Sequence, residues 1–184
     1  MKETPKPKRP RIGVTEKGKL VETDPQAFVK NKCSDKAKKT FDHKATVRIS
    51  GWIDQHLHIR QQQGDEYGKR DGIDPVTVEG LVKESLKYLL LYSALVKGFK
   101  FINHPQVPET NKRIILRKDN EGFWLYVVIE VHFLAVQEFE ITIITAMQEA
   151  DFRVGAGQYV VEIQEGTSTL YKFDNEKFSE ICSF

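Results

Sequence analysis

The stretch Ser50 to Arg60, SGWIDQHLHIR, sets a histidine and an arginine four residues apart in a short segment of helical composition. Four residues make about one helical turn, so on a helix His56 and Arg60 project from the same face while His58 points elsewhere. An imidazole can move a proton near neutral pH, and a guanidinium can hold a phosphate through two hydrogen bonds. Together they suit the chemistry of a phosphate ester, although the same spacing also describes an ordinary solvated helix face. If the segment is extended instead, His58 shares a face with both His56 and Arg60 and can replace His56. A metal at His56-x-His58 would need a strand, and beyond Asp54 no cysteine or acidic pair completes a ligand set, so neither a metal nor another cofactor is assigned.

The elements that must position these residues are legible around them. Ala45 to Trp52 alternates apolar and polar residues and reads as a short strand, followed by the short helix carrying His56. Gln61 to Gly72 is polar and glycine-broken, hence a loop beside the candidate site. Asp74 and Pro75 are an N-cap carboxylate and a proline at the first helical position. The helix they start is expected to run to about Lys97, with Val78, Leu81, Val82, Leu86, Leu89, Leu90 and Leu95 as its apolar face and Gly98 ending it.

From Phe99 the period turns extended. Phe99 to Asn103 reads as a strand, His104 to Asn111 as a loop, and Lys112 to Lys118, Phe123 to Leu134 and Phe139 to Met147 as three strands. The joints Asp119 to Gly122 and Ala135 to Glu138 have hairpin length, so the sheet is most simply antiparallel. In the middle strand Phe123, Leu125, Val127, Ile129, Val131 and Phe133 share one apolar face that must cover the helix, while Trp124, Tyr126, Val128, Glu130 and His132 share the other. Beyond Met147 a hairpin turning near Glu165 to Ser168 and a terminal helix in EKFSEICSF are expected, either extending the sheet or forming a lobe on it.

The chain has 184 residues and a net charge of +2, enough for one domain and a tail. Divided along the chain, that charge is uneven. Residues 1–44 hold 13 Lys and Arg against 6 Asp and Glu, whereas residues 45–184 hold 15 against 20. The tail is therefore basic and, with Pro5, Pro7 and Pro10 among its lysines, reads as mostly disordered, with a short helix from Asp24 or Pro25 through Lys32. Such a tail attracts nucleic acid or an acidic protein in a salt-sensitive way, or serves as a solubilising or processing segment. No apolar run has the length of a membrane span, and MKETPKPKRPRIG has no apolar segment behind its charges to make it a secretory signal. Cys33 and Cys182, at opposite ends of the chain and lacking CxxC spacing, make neither a disulfide framework nor a zinc site, and imply a reducing cytoplasm by default.

The segments DQHLHIR at 54–60, the capped helix after GIDP, RIILRKDNEGFWLYVVI at 113–129 and EITIITA at 140–146 resemble, in this order, the barnase/EndoU/RelE-like superfamily of small metal-independent endoribonucleases and toxins, its phage members being nearest in pattern. Residues 1–44 and 155–184 lie outside the likeness. The resemblance implies an α+β fold in which N-terminal helices pack on a twisted antiparallel sheet, here carried by a single domain over residues 45–184. It also implies cleavage of RNA by attack of the 2′-hydroxyl on the adjacent phosphate, leaving a 2′,3′-cyclic phosphate.

That reaction needs a base, an acid and cations or donors around the phosphate. His56 matches the family's helix histidine for proton transfer, with Arg60 on the phosphate, His132 as a second proton carrier from the sheet and Thr145 as a hydroxyl donor. Arg113 and Arg117 share a strand face and add positive charge; Tyr126 and Trp124 could stack on unpaired bases; His58 is a further substrate contact, or replaces His56 if the segment is extended. Each also has a plain structural reading as a strand threonine, a surface charge, an edge histidine or a packing aromatic. The partners implied are RNA, including messenger RNA on the ribosome, and an antitoxin or immunity protein. The folded part is net acidic, against the family's habit, which keeps open a second reading: a non-catalytic adaptor with a basic tail and an acidic α+β body. P-loop, HExxH and GxSxG motifs are absent from the sequence.

Overall fold

In the computed structural model the described residues are 27–44, 47–55, 57, 73–107, 112–120, 122–148 and 152–184. They form an α+β arrangement that is mostly sheet. The strands are β1 (Ala37–Lys44), β2 (Arg48–Asp54), β3 (Ile102–Asn103), β4 (Arg113–Asn120), β5 (Phe123–Ala135), β6 (Glu138–Gln148), β7 (Tyr159–Gln164), β8 (Thr167–Asp174) and β9 (Lys177–Ser183), and α1 (Pro75–Leu95) stands between β2 and β3. One sheet runs in the order β1-β2-β6-β5-β4-β7-β8-β9, with β3 pairing β5 off this path.

The N-terminal helices expected on the sheet are not what the fold uses. Among the described residues one long helix covers the sheet, and it follows two strands. Residues 28–32 are not α-helical, because the Asn31 carboxamide oxygen accepts from the backbone N–H groups of Cys33 and Ser34 at 3.0 and 2.7 Å. This side chain closes a turn in place of a helix. The reversal lets Val29 and Ala37 exchange both backbone bonds at 2.9 Å. Residues 27–44, assigned by composition to the tail, thus contribute a sheet strand; residues 1–26 lie outside the described residues.

The sheet is mixed, not purely antiparallel. Hairpin-length joints make β1/β2, β4/β5, β5/β6, β7/β8 and β8/β9 antiparallel, but β2 pairs β6, β4 pairs β7 and β3 pairs β5 in parallel. The longer connections after β2 and β6 release direction from turn geometry. The C-terminal hairpin therefore extends the sheet, turning at Glu165 and Gly166 as expected, with Gly166 at φ 76°. The expected terminal helix is instead β9. Asn175 and Glu176 take φ 50° and 60°, a two-residue reversal that returns the chain along the edge of β8.

Asp74 caps α1 as the sequence implied, accepting from Val76 N and Thr77 N at 3.2 Å each, with Pro75 in the first turn. The buried stripe is Val78, Leu81, Val82, Ser85, Tyr88, Leu89 and Tyr92. Leu90 and Leu95, expected on that face, fall off the 3.6-residue stripe and are exposed. The stripe meets Leu125, Val127, Ile129 and Val131 of β5, Ile114 and Leu116 of β4, Ile141 and Ile143 of β6 and Val161 and Ile163 of β7. Each buried aliphatic of this layer contributes roughly 1.5–3 kcal/mol. The Tyr92 hydroxyl donates to Ser168 Oγ at 2.9 Å, and that hydroxyl donates to the Glu162 carbonyl, tying the helix to the C-terminal hairpin.

Asp74→Ala removes both cap bonds and is expected to lower stability by about 1 kcal/mol, a fall of about 2–4 °C in thermal midpoint for a chain of this size. An unchanged midpoint would assign the helix start to Pro75 alone.

Candidate functional site

The side of the sheet away from α1 carries the polar groups of β5, and the pleat decides which. Leu125, Val127, Ile129 and Val131 point to the helix, so Tyr126, Val128, Glu130 and His132 point away. Strand register then sets their neighbours. Glu130 lies opposite Arg113 of β4 and Thr142 of β6, and Thr142 lies opposite Trp52 of β2. His132 lies opposite Glu140 of β6, which pairs with Ser50 of β2.

Glu130 has no solvent exposure. Its Oε1 accepts from Arg113 Nε at 2.8 Å and its Oε2 stands 3.2 Å from His132 Nε2, while the Cys33 sulfur lies within 4.8 Å of the carboxylate. Burial alone would push the Glu130 carboxyl up, but the bonds from His132, Cys33 and Arg113 and the Arg113 charge outweigh it and hold the group at about 2. The same burial, together with the neighbouring Glu130, pushes the Cys33 thiol well above the ordinary range. It is a hydrogen-bond donor here and not a thiolate nucleophile.

The turn at residues 31–33 is docked on this face through side chains far away in sequence. Asn31 Nδ2 donates to Thr142 Oγ1 at 2.6 Å and Lys32 N donates to Glu140 Oε1 at 2.9 Å. Cys33, Glu130 and His132 offer a sulfur, a carboxylate oxygen and a ring nitrogen that all lie within 4.8 Å of one another.

A second polar centre sits four residues along β4. Arg117 donates from Nε to Glu162 Oε2 at 2.8 Å, with side-chain exposures of 14% and 9%. Its guanidinium carbon is 4.9 Å from the ring centroids of Trp124 and Tyr171 and 5.0 Å from that of Phe178. Four residues of strand span about 13 Å, so the Arg117 and Glu130 centres do not converge on one phosphate. Tyr126 is buried and stacked on Phe152, centroids 4.7 Å apart.

The sheet residues named from sequence therefore separate into three places. Arg113 and His132 serve Glu130; Arg117 and Trp124 form the caged pair and Tyr126 packs beside them. Thr145 lies opposite Val128 towards the end of β6, and its hydroxyl is buried with no hydrogen-bond partner among the described residues. His56, His58 and Arg60 lie outside the described residues. Their flanks do not: Ile53 pairs with Ile143 in the parallel β2/β6 ladder and Leu57 is buried in the helix-side core. Glu130 was visible from alternation as a polar-face residue, whereas Cys33, Asn31, Glu140 and Thr142 carried no local signal. The Asn31–Thr142 bond joins residues 111 apart in sequence.

Because the folded Glu130 carboxyl titrates at about 2, below the 4.5 ordinary for a glutamate, its contribution is complete above pH 4.5 and is lost as pH falls from 4.5 towards 2. A shift of this size corresponds to on the order of 3 kcal/mol. The thermal midpoint of the native chain is expected to fall across that window more steeply than that of Glu130→Gln; parallel curves would show that the carboxylate is not held by its partners. Arg117→Met leaves Glu162 buried without its partner and is expected to destabilise the fold by about 3 kcal/mol, measured by denaturant titration. An unchanged stability would instead free Arg117 for a ligand. No family model, curated protein or solved structure matches the chain.

Proposed function

We propose that the chain is a metal-independent endoribonuclease acting as a toxin or as a phage-type regulator of transcripts. The observation that supports this reading is the parallel pairing of β2 with β6, Ile53 opposite Ile143. It brings the start of DQHLHIR beside the end of EITIITA, two segments remote in sequence whose residues the reaction would need together. The Thr145 hydroxyl, buried and without a partner among the described residues, offers a donor at that end of the sheet.

In this reading His56 takes the proton from the ribose 2′-hydroxyl and the 2′-oxygen attacks phosphorus. The bond to the 5′-oxygen breaks, and that oxygen leaves with a proton from a second group. Arg60 holds the non-bridging oxygens as their charge rises. Arg113, Arg117, Trp124, Tyr126 and His132 then act as the scaffold beneath, since each is engaged with protein groups. Its partners are RNA and a neutralising antitoxin or immunity protein, in the cytoplasm. No helix among the described residues is long and apolar enough to cross a membrane.

The engagement of those five side chains also favours a second reading, a non-catalytic adaptor that captures nucleic acid or protein with its basic N-terminal residues. Incubation of the chain with mixed cellular RNA and ribosomes in EDTA separates the two. New ends bearing 2′,3′-cyclic phosphate are expected with the native chain, and at least about a hundredfold fewer with His56→Ala or Arg60→Ala, each at an unchanged thermal midpoint. Intact RNA with the native chain would leave the adaptor.

A further inference from the structure

We propose that Cys33, Glu130 and His132 form a binding site for a zinc-class divalent cation that fastens the turn at residues 31–33 to the sheet. The donor set mixes a thiol, an imidazole and a carboxylate, the combination preferred by borderline-soft cations. In a tetrahedral zinc site, bond lengths of about 2.0–2.3 Å put the ligand atoms roughly 3–4 Å apart. The three atoms here lie within 4.8 Å of one another, so closing on an ion takes a side-chain adjustment and no backbone rearrangement.

Two further observations point to a cation. The Cys33 sulfur and His132 Nε2 both face the Glu130 carboxylate, Nε2 at 3.2 Å from Oε2 and all three ligand atoms within 4.8 Å of one another, so ligand-atom protons occupy the space that one ion would fill. Arg113 meanwhile holds Oε1 through Nε at 2.8 Å, leaving Oε2 to coordinate and orienting the carboxylate as an outer partner does in metal sites. Acidic groups stand nearby as well, alongside the Arg113 cation. Glu140, nearly fully buried, accepts from Lys32 N, and Asp54 acts electrostatically on Cys33. Three protein ligands leave a fourth position for water, reached on the side where His132 is 13% exposed and Cys33 half-buried.

On binding, the S–H bond of Cys33 breaks, its proton goes to solvent and a sulfur–metal bond forms. The Nε2 proton of His132 passes to Nδ1 as Nε2 takes the ion. Thiolate and carboxylate together balance the charge of a divalent cation.

The test uses the full chain with zinc(II) and cobalt(II) chloride. One ion per chain is expected, with about one proton released, read from the dependence of the calorimetric heat on buffer. Cobalt is expected to give a sulfur-to-metal charge-transfer absorption that Cys182→Ala retains and Cys33→Ala loses. Cys33→Ala and His132→Ala are each expected to weaken zinc binding by at least about 10- to 100-fold. Absence of the cobalt band from the native chain would overturn the site, and so would zinc affinity unchanged in both variants, which would put the ion at other histidines. Should Cys33→Ala fail to fold, the band in the native chain and its persistence in Cys182→Ala decide the question.

Discussion

A carboxylate with no access to water, in the middle of the longest strand, is the constraint on which this face of the sheet depends. Glu130 cannot be left alone at that depth, because an isolated buried charge is far more costly than a buried apolar group. Its partners come from three directions: Arg113 from the adjoining strand, His132 from two residues along its own, and Cys33 from a turn outside the sheet. Satisfying one acid thus fixes three pieces of chain relative to one another. An apolar residue there would pack without requiring the turn to be present, so it is the acid that ties the turn to the sheet.

The Arg117 centre obeys the same logic with the sign reversed. A guanidinium carried into the sheet is matched by Glu162 and enclosed by three aromatic rings, which interact favourably with a planar cation. Phe178 supplies one of those rings, so β9 is held to the sheet by more than its ladder with β8. The two faces consequently differ in kind. The helix face is joined mainly by apolar contact and tolerates volume-conserving change, whereas the opposite face has a smaller apolar cluster of Ile115, Tyr126, Val128 and Val160 and adds paired charges and turns that must each find a specific partner.

This difference decides how much could be read from the sequence. Periodicity identified α1, its cap at Asp74 and the strands β4, β5 and β6 with their connecting turns, because those elements are governed by neighbours in the chain. It also separated the faces of β5 and put Glu130 and His132 together. What it missed is non-local: the parallel pairings of β2 with β6 and β4 with β7, and the docking of Asn31, Lys32 and Cys33. EKFSEICSF reads as a helix by composition, yet the left-handed pair Asn175 and Glu176 and the free edge of β8 make it a strand. For the site, residue types on the sheet were legible but their employment was not. Arg117 and Trp124 look like an RNA-binding pair in sequence and are each other's partners in the fold.

The turn at residues 31–33 has a consequence in the order of synthesis. It leaves the ribosome early, but the groups that receive it, Glu130, Glu140 and Thr142, lie in strands made much later. Domains generally acquire structure as units once their distant partners have emerged. Until β5 and β6 are available, Asn31 and Lys32 lack the Thr142 and Glu140 side chains that receive them, although Val29 can already pair with Ala37. Docking of this turn on Glu140 and Thr142 can follow the synthesis of β5 and β6 but cannot precede it.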